Sequence, residues 1–134
     1  MTSTTHMTFT RRLYESASSI WHKQLEHPFV SALGEGALPQ PKFEFYIKQD
    51  ALFLGELTKT FAFATTRTED SKEMQRFGEL LLNTLQVERV LHMTYGEKFG
   101  LTPEQMATTE MAPTNYAYTR HLLHVAATGS LPEL

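Results

Sequence analysis

A carboxylate lies between two aromatic rings on one predicted helix of this sequence. Asp50 follows Tyr46 by four residues and precedes Phe53 by three, so helical spacing places all three toward one side. Burying a carboxylate among rings is costly unless a specific group pairs with it. Aromatic faces stack on flat heterocycles, and a carboxylate accepts hydrogen bonds from an amino group or a protonated ring nitrogen. The pattern therefore makes Asp50 a candidate ligand-binding residue.

A structural role for Asp50 explains the same pattern. The carboxylate could pair with a lysine or cap another helix, because perturbed acids also occur in structural networks. The residues around Asp50 do not choose between these two interpretations, so both stay open at this point.

Glu88 and His92 form a second candidate constellation, four residues apart on a later predicted helix. Two ligands on one helix face could help to hold a metal ion, as in a metal-dependent oxidase of bundle architecture. The di-iron bundles, however, use Glu-x-x-His at three-residue spacing together with carboxylates from other helices. The spacing here favours a Glu–His hydrogen bond, and we predict no metal site and no cofactor.

The elements that must position these side chains are all predicted to be helical. Apolar spacing, proline positions and capping patterns predict long helices from about Thr8 to Glu26, Pro41 to Thr66, the Asp70 cap to near Gly100, and Pro113 to Thr128. There is no strand-length alternating pattern. Residues 1–134 are therefore expected to form a single all-α domain, an antiparallel helical bundle.

Composition narrows the classes of function. The net charge of −3 gives no reason to expect nucleic acid or an anionic membrane as a partner. No apolar run approaches membrane-spanning length, and the first residues lack the features of a signal peptide, so a cytoplasmic protein is expected. The 134 residues contain no cysteine, which excludes a thiolate nucleophile within them.

The last residues form an unfinished helix start. Ser130 and Glu133 match a capping box, yet the sequence stops one residue later. A tail that frays would explain this pattern, but we favour the interpretation that the sequence is a truncated piece of a longer chain.

Five motifs in order resemble one family, TenA, also called thiaminase II. They are His27-Pro28-Phe29-Val30, Gly34-x-Gly36-x-Leu38-Pro39, Phe43-x-x-Tyr46-x-x-Gln49-Asp50, Glu88-x-x-x-His92 and Pro113-Thr114-x-Tyr116-x-Tyr118-Thr119. The resemblance extends from about Phe9 to Leu134. It implies a haem-oxygenase-like helical bundle, commonly a homotetramer, without a metal or organic cofactor.

The resemblance also implies an activity. Family members are aminopyrimidine aminohydrolases that release hydroxymethylpyrimidine from thiamin, or from its aminopyrimidine degradation product, for thiamin salvage. The alternative is a non-catalytic helical module that binds a pyrimidine without consuming it, or that acts in regulation through protein contacts.

Site residues follow from the resemblance position by position. Asp50 matches the aspartate that binds the aminopyrimidine edge, and Tyr118 matches a tyrosine that lines the pocket. Phe53 matches a position that is often tyrosine, whose hydroxyl assists the nucleophile, and Tyr46 completes the predicted binding set. The family's nucleophilic cysteine and glutamate proton donor are expected beyond Leu134, so no catalytic residue is expected within this chain and the piece alone is expected to be inactive.

Overall fold

A computed structural model of the chain describes residues 7–100, 102, 104–105 and 108–134, except for the side chain of His92. The residues so described form helices and connecting turns without a strand. Within them no helix is long and apolar enough to cross a membrane. The chain divides into two compact units, residues 1–40 and 41–134.

Within residues 7–40 the first unit has three short helices, α1 (Phe9–Ser16), α2 (Ser18–Leu25) and α3 (Pro28–Gly34). Thr8 caps α1, because its hydroxyl oxygen accepts a hydrogen bond from the Arg11 amide at 3.3 Å. The predicted continuous helix from Thr8 to Glu26 is wrong, since Ala17 interrupts it with φ −115° and ψ 12°. The Ser16 hydroxyl donates to the Leu13 carbonyl at 2.7 Å, a local bond of the kind with which serines compete with helical backbone.

His27 holds the junction between α2 and α3, as its position before Pro28 predicts. The imidazole Nδ1 accepts a hydrogen bond from the Phe29 amide at 3.1 Å, and Pro28 occupies the first helical position. Pro28 thus starts a helix that the sequence analysis does not include. After α3 the chain turns at Gly36, whose φ of 68° is accessible to glycine at little cost.

The second unit is built on α4 (Gln40–Thr66), α5 (Ser71–Phe99) and α6 (Pro113–Thr128). These bounds confirm the three predicted helices to within a residue or two. Gly100 ends α5 in a left-handed conformation with φ 63°. The predicted capping box at the end of the chain is present, since the Ser130 amide donates to the Glu133 carboxylate at 2.7 Å and Leu131–Glu133 form a 3-10 turn.

The start of α5 is capped by Asp70, as predicted, and Glu73 contributes to the cap through Thr68. The Asp70 carboxylate accepts from the amides of Lys72 and Glu73 at 2.8 and 3.0 Å, as expected. The Glu73 carboxylate, however, accepts from the Thr68 hydroxyl at 2.6 Å, and that hydroxyl oxygen accepts from the Asp70 amide at 3.1 Å. Thr68 is buried, and its hydroxyl links the Glu73 carboxylate to the Asp70 amide, two groups that bond directly in a standard capping box.

Contacts give the directions of the helices. Phe43 near the start of α4 contacts Phe99 at the end of α5, with ring centroids 5.9 Å apart, so these successive helices are antiparallel, as predicted. In contrast, α4 and α6 run parallel, since Gln49 bonds Asn115 and Phe53 stacks on Tyr118 further along both helices. The chain therefore reverses direction between α4 and α5 and again between α5 and α6, so that α4 and α6 point the same way.

Two different faces of α4 therefore make helix contacts. Phe43 lies on the face toward α5, whereas Gln49 and Phe53 contact α6. At about 100° per residue, Tyr46, Asp50 and Phe53 fall within about 60° of arc, between the direction of Phe43 and that of Gln49. The fold thus places the predicted carboxylate and its rings at the boundary of the two helix contacts.

Candidate functional site

Asp50 lies half-buried on α4. Among the described residues, its carboxylate forms neither an ion pair nor a hydrogen bond. In that part of the chain neither of the structural roles considered for Asp50, a lysine pair or a helix cap, is observed. A partly desolvated carboxylate of this kind remains available to a ligand that carries hydrogen-bond donors.

Burial raises the pKa of the Asp50 carboxyl above its ordinary value, because desolvation disfavours the charged form. The pKa of the Tyr46 hydroxyl is also raised, first by burial and second by the charge of Asp50. Asp50 therefore accepts a proton more readily than an ordinary aspartate does, which suits a partner with a basic ring nitrogen.

We expect Asp50→Asn to stabilise the folded chain at neutral pH. Because the pKa of Asp50 is raised in the folded state, the proton binds more tightly there than in the unfolded chain. The carboxyl's contribution to the free energy of unfolding is therefore fully present below its unfolded pKa and is lost as pH rises through the folded value. Asparagine keeps a polar side chain but removes the charge, and a charge costs more to desolvate than a neutral amide does, so for this half-buried site we expect a gain of up to about 1 kcal/mol at pH 7.

Urea unfolding of both proteins as a function of pH checks this expectation. The same pair of proteins is its own control at low pH, where Asp50 is protonated in both states and most of the difference should disappear. A variant that is less stable than the parent at neutral pH would indicate that Asp50 has a stabilising partner.

The rings of Phe53 and Tyr118 stack across the contact between α4 and α6. Their centroids are 5.8 Å apart and the ring planes differ by 13°. Tyr118 is 52% exposed, so much of its ring surface stays open to solvent. The fold thereby brings Tyr118 to the residue that lies one helical turn after Asp50.

Tyr46 belongs to a second aromatic group on the other side of Asp50. Phe43 contacts Tyr46 with ring centroids 6.3 Å apart, and it contacts Tyr95 edge-on at 5.3 Å. Tyr95 in turn stacks on Phe99 at 5.9 Å. Rings of α5 therefore pack on Phe43, before Asp50 on α4, and a ring of α6 packs on Phe53, after it.

Gln49 carries a hydrogen-bond network that the hydrophobic pattern does not indicate. Its side chain is buried, its Nε2 donates to the Glu110 carbonyl at 3.0 Å, and its Oε1 accepts from the Ala112 amide at 2.8 Å. Asn115 donates from its side-chain amide to the Gln49 carbonyl at 2.9 Å and to Gln49 Oε1 at 3.2 Å. The start of α6 is thereby tied to α4 immediately beside Asp50.

Glu56 makes the second polar tie between α4 and α6. Its carboxylate pairs with Arg120 on α6 and with Lys59 at 2.7 Å, and these two cations hold the pKa of Glu56 below its ordinary value despite the opposing effect of burial. The Arg120 guanidinium also lies over the Tyr116 ring, 5.2 Å from its centroid. Sequence reasoning did not single out Gln49, Glu56 or Arg120 for any role.

The structure does not test the proposed metal ligands Glu88 and His92, since the His92 side chain lies outside the described residues. In the described part of the chain no cluster of three or more histidine or acidic side chains could hold a metal ion. An apolar concavity of about 350 Å³ lies on α5 and is lined by Asn83, Gln86, Val87, Val90 and Leu91. Its lining carries no titratable group, so it offers no acid–base chemistry.

Comparison with known families decides the relationship. The model of the TENA/THI-4/PQQC family matches residues 14–134. The chain belongs to this family. The match covers the whole second unit, including Tyr46, Asp50, Phe53 and Tyr118, and it confirms the resemblance drawn from the ordered motifs.

Curated relatives within the family carry enzyme names. The chain is 41% identical over 128 residues to a Halalkalibacterium halodurans protein named aminopyrimidine aminohydrolase, covering 96% of this chain and 57% of the relative. It is 34% identical to a Helicobacter pylori protein of the same name, covering 96% of this chain and 59% of the relative. The chain thus spans less than two thirds of the length of these TenA-family relatives.

Solved structures of the family share the helical fold of this chain. A TenA homologue from P. horikoshii OT3 superposes with a TM-score of 0.83 at 34% identity, covering 92% of this chain and 58% of that one. A protein from Silicibacter sp. TM1040, described as a TenA family transcription regulator, gives a TM-score of 0.88 at 28% identity, covering 99% of this chain and 59% of that one. The TenA-like helical fold is thereby confirmed for this chain.

Proposed function

We propose that Asp50, flanked by Tyr46, Phe53 and Tyr118, binds the amino edge of an aminopyrimidine. The observation that carries the proposal is the half-buried carboxylate with no partner among the described residues. An aminopyrimidine offers an exocyclic N–H donor and an adjacent basic ring nitrogen, and a carboxylate of raised pKa can share a proton with that nitrogen. The flat ring suits a site flanked by aromatic side chains.

The activity we propose for the whole protein is that of an aminopyrimidine aminohydrolase, or thiaminase II, in thiamin salvage. The names of the relatives from H. halodurans and H. pylori support it. In this mechanism a cysteine thiolate adds to the pyrimidine ring, and the bond between the exocyclic methylene carbon and the leaving-group nitrogen then breaks. An amine leaves after an acid protonates it, whereas the thiazolium of thiamin leaves as neutral thiazole. Water adds to the methylene carbon, loses a proton, and the ring expels the thiolate. The 134 residues contain no cysteine, so their part in this chemistry is to bind and orient the ring.

Isothermal titration calorimetry of the 134-residue chain with hydroxymethylpyrimidine tests the binding proposal. We expect one saturable site, and competition by thiamin through the same pyrimidine ring. A pyrimidine without the amino group is the matched control ligand, because it keeps the flat ring and removes the donor to Asp50. Equal affinity for both pyrimidines, or no binding of either, would overturn the proposal.

A non-catalytic pyrimidine-binding or regulatory module is the second candidate. The description of the Silicibacter protein as a TenA family transcription regulator favours it, although that description applies to the other protein. Turnover by the whole protein separates the two candidates, because a module would bind hydroxymethylpyrimidine but leave thiamin intact.

The oligomeric state and cellular location of the whole protein are also proposals. We propose that the whole protein is a cytoplasmic homotetramer that uses no cofactor and binds neither nucleic acid nor membrane. We further propose that residues 1–134 belong to one TenA-like domain, supported by a family match that runs through both compact units from residue 14. Light scattering on the purified protein measures the oligomeric state.

A further inference from the structure

We infer that Gln49 is a positioning residue, which sets the Phe53–Tyr118 stack beside Asp50 through its hydrogen bonds to the start of α6. The inference rests on the proposed function for its ligand, and it assigns a role to a side chain that need not touch that ligand. Gln49 immediately precedes Asp50 and faces α6 rather than the boundary at which Asp50 lies.

The hydrogen bonds of Gln49 reach three separate groups around the first turn of α6. Both ends of its side-chain amide are used, by the Glu110 carbonyl and by the Ala112 amide, and Asn115 binds its Oε1 and its backbone carbonyl. These bonds involve a segment more than 60 residues away in sequence, so they fix tertiary geometry rather than the helix itself. If α6 shifted relative to α4, the buried Gln49 amide would lose these partners and remain desolvated without hydrogen bonds. Such shifted positions of α6 are therefore unfavourable.

The geometry transmits this constraint to Tyr118. Asn115 and Tyr118 are three residues apart on α6, and Gln49 and Phe53 are four apart on α4. The Gln49–Asn115 hydrogen bonds and the ring stack therefore lie about one helical turn apart along the same pair of parallel helices. The Glu56–Arg120 pair lies on the far side of the stack, with the arginine side chain 43% exposed. The Glu56 side chain is only 15% exposed, but an ion pair whose arginine is open to solvent constrains geometry less than several buried hydrogen bonds do, so we assign the ring position to the Gln49 amide.

Gln49→Met tests the inference, because methionine has a similar length and shape but lacks the amide. We expect hydroxymethylpyrimidine binding by the full 134-residue chain to weaken by about 10-fold, measured by calorimetry at a temperature where circular dichroism shows a folded protein. Asn115→Leu removes one arm of the network and should weaken binding less. Thr68→Val is the matched control, since it removes another buried hydrogen-bonded side chain at the α4–α5 connection and should leave affinity unchanged.

Two further measurements separate positioning from simple destabilisation. In a Tyr118→Ala background, Gln49→Met should change the affinity less than two-fold, because the ring it positions is gone. In the ligand-free protein, the nuclear Overhauser contact between the Phe53 and Tyr118 rings should be lost in Gln49→Met and kept in Thr68→Val.

Unchanged affinity in a folded Gln49→Met, an equal loss with and without the Tyr118 ring, or a retained ring contact would each overturn the inference. If Gln49→Met does not fold, the same three measurements are made on Asn115→Leu: the affinity, the affinity without the Tyr118 ring, and the ring contact. If neither variant folds, the hydrogen bonds are structural and the positioning role is overturned. If the parent chain binds no pyrimidine, the proposed function fails, while the ring contact in the free protein still decides the role of Gln49.

Discussion

Replacing Asp50 with alanine is expected to weaken hydroxymethylpyrimidine binding by about 10- to 100-fold while the chain stays folded. The carboxylate would accept hydrogen bonds from the amino group and the protonated ring nitrogen, and hydrogen bonds to charged groups contribute about 1.5–3 kcal/mol. The fold should tolerate the change, because Asp50 has no hydrogen-bond or ion-pair partner among the described residues. Calorimetric titration of parent and variant measures the loss.

Glu79→Ala is the matched control for this experiment. It also removes one carboxylate from the second unit, but Glu79 lies exposed on α5 and pairs with Arg76. We expect its affinity to equal that of the parent within two-fold. If Asp50→Ala binds as tightly as this control does, Asp50 is not the pyrimidine-binding group.

The 134-residue polypeptide is expected to bind hydroxymethylpyrimidine without hydrolysing thiamin or aminopyrimidine. The proposed reaction needs a thiolate nucleophile, and these residues contain no cysteine. Removal of a nucleophile from an enzyme of known mechanism lowers kcat by up to about 10⁶-fold, so we expect a rate at least about 10⁴-fold below that of an intact enzyme. Chromatographic detection of released hydroxymethylpyrimidine measures it.

The H. halodurans relative, assayed in parallel, provides the reference rate. Intact mass of the purified 134-residue polypeptide ensures that the tested species is the one intended. A rate within 10-fold of that reference would show that the nucleophile lies among the residues already present, and the division into an orienting part and a covalent part would be wrong.

The most accurately predicted elements are the three long helices of the second unit. Their apolar spacing, the Asp70 cap and the glycine after α5 are local features, so short-range physics places α4, α5 and α6 within a residue or two. The first helix is predicted as continuous because its apolar spacing continues through Ala17. The break there depends on a backbone conformation and a Ser16 hydrogen bond that periodicity does not report.

The contact between α4 and α6 shows why part of the site could not be predicted. The apolar stripe of α4 indicates the face toward α5. The face toward α6 includes Gln49, Glu56 and Thr60, whose polar side chains are indistinguishable in sequence from a solvated surface. Gln49 and Glu56 are accommodated by partners on or next to α6, far away in the chain, whereas the Thr60 hydroxyl bonds to its own helix.

Sequence alone determined the helical class, the family and the carboxylate at Asp50, since motif order and local spacing are carried by neighbouring residues. Only the tertiary structure decided that Asp50 has no partner among the described residues, that Tyr118 stacks on Phe53, and that Gln49 ties the two helices together. These features depend on the register of α6 against α4, which is set by hydrogen bonds and packing between residues more than 60 positions apart.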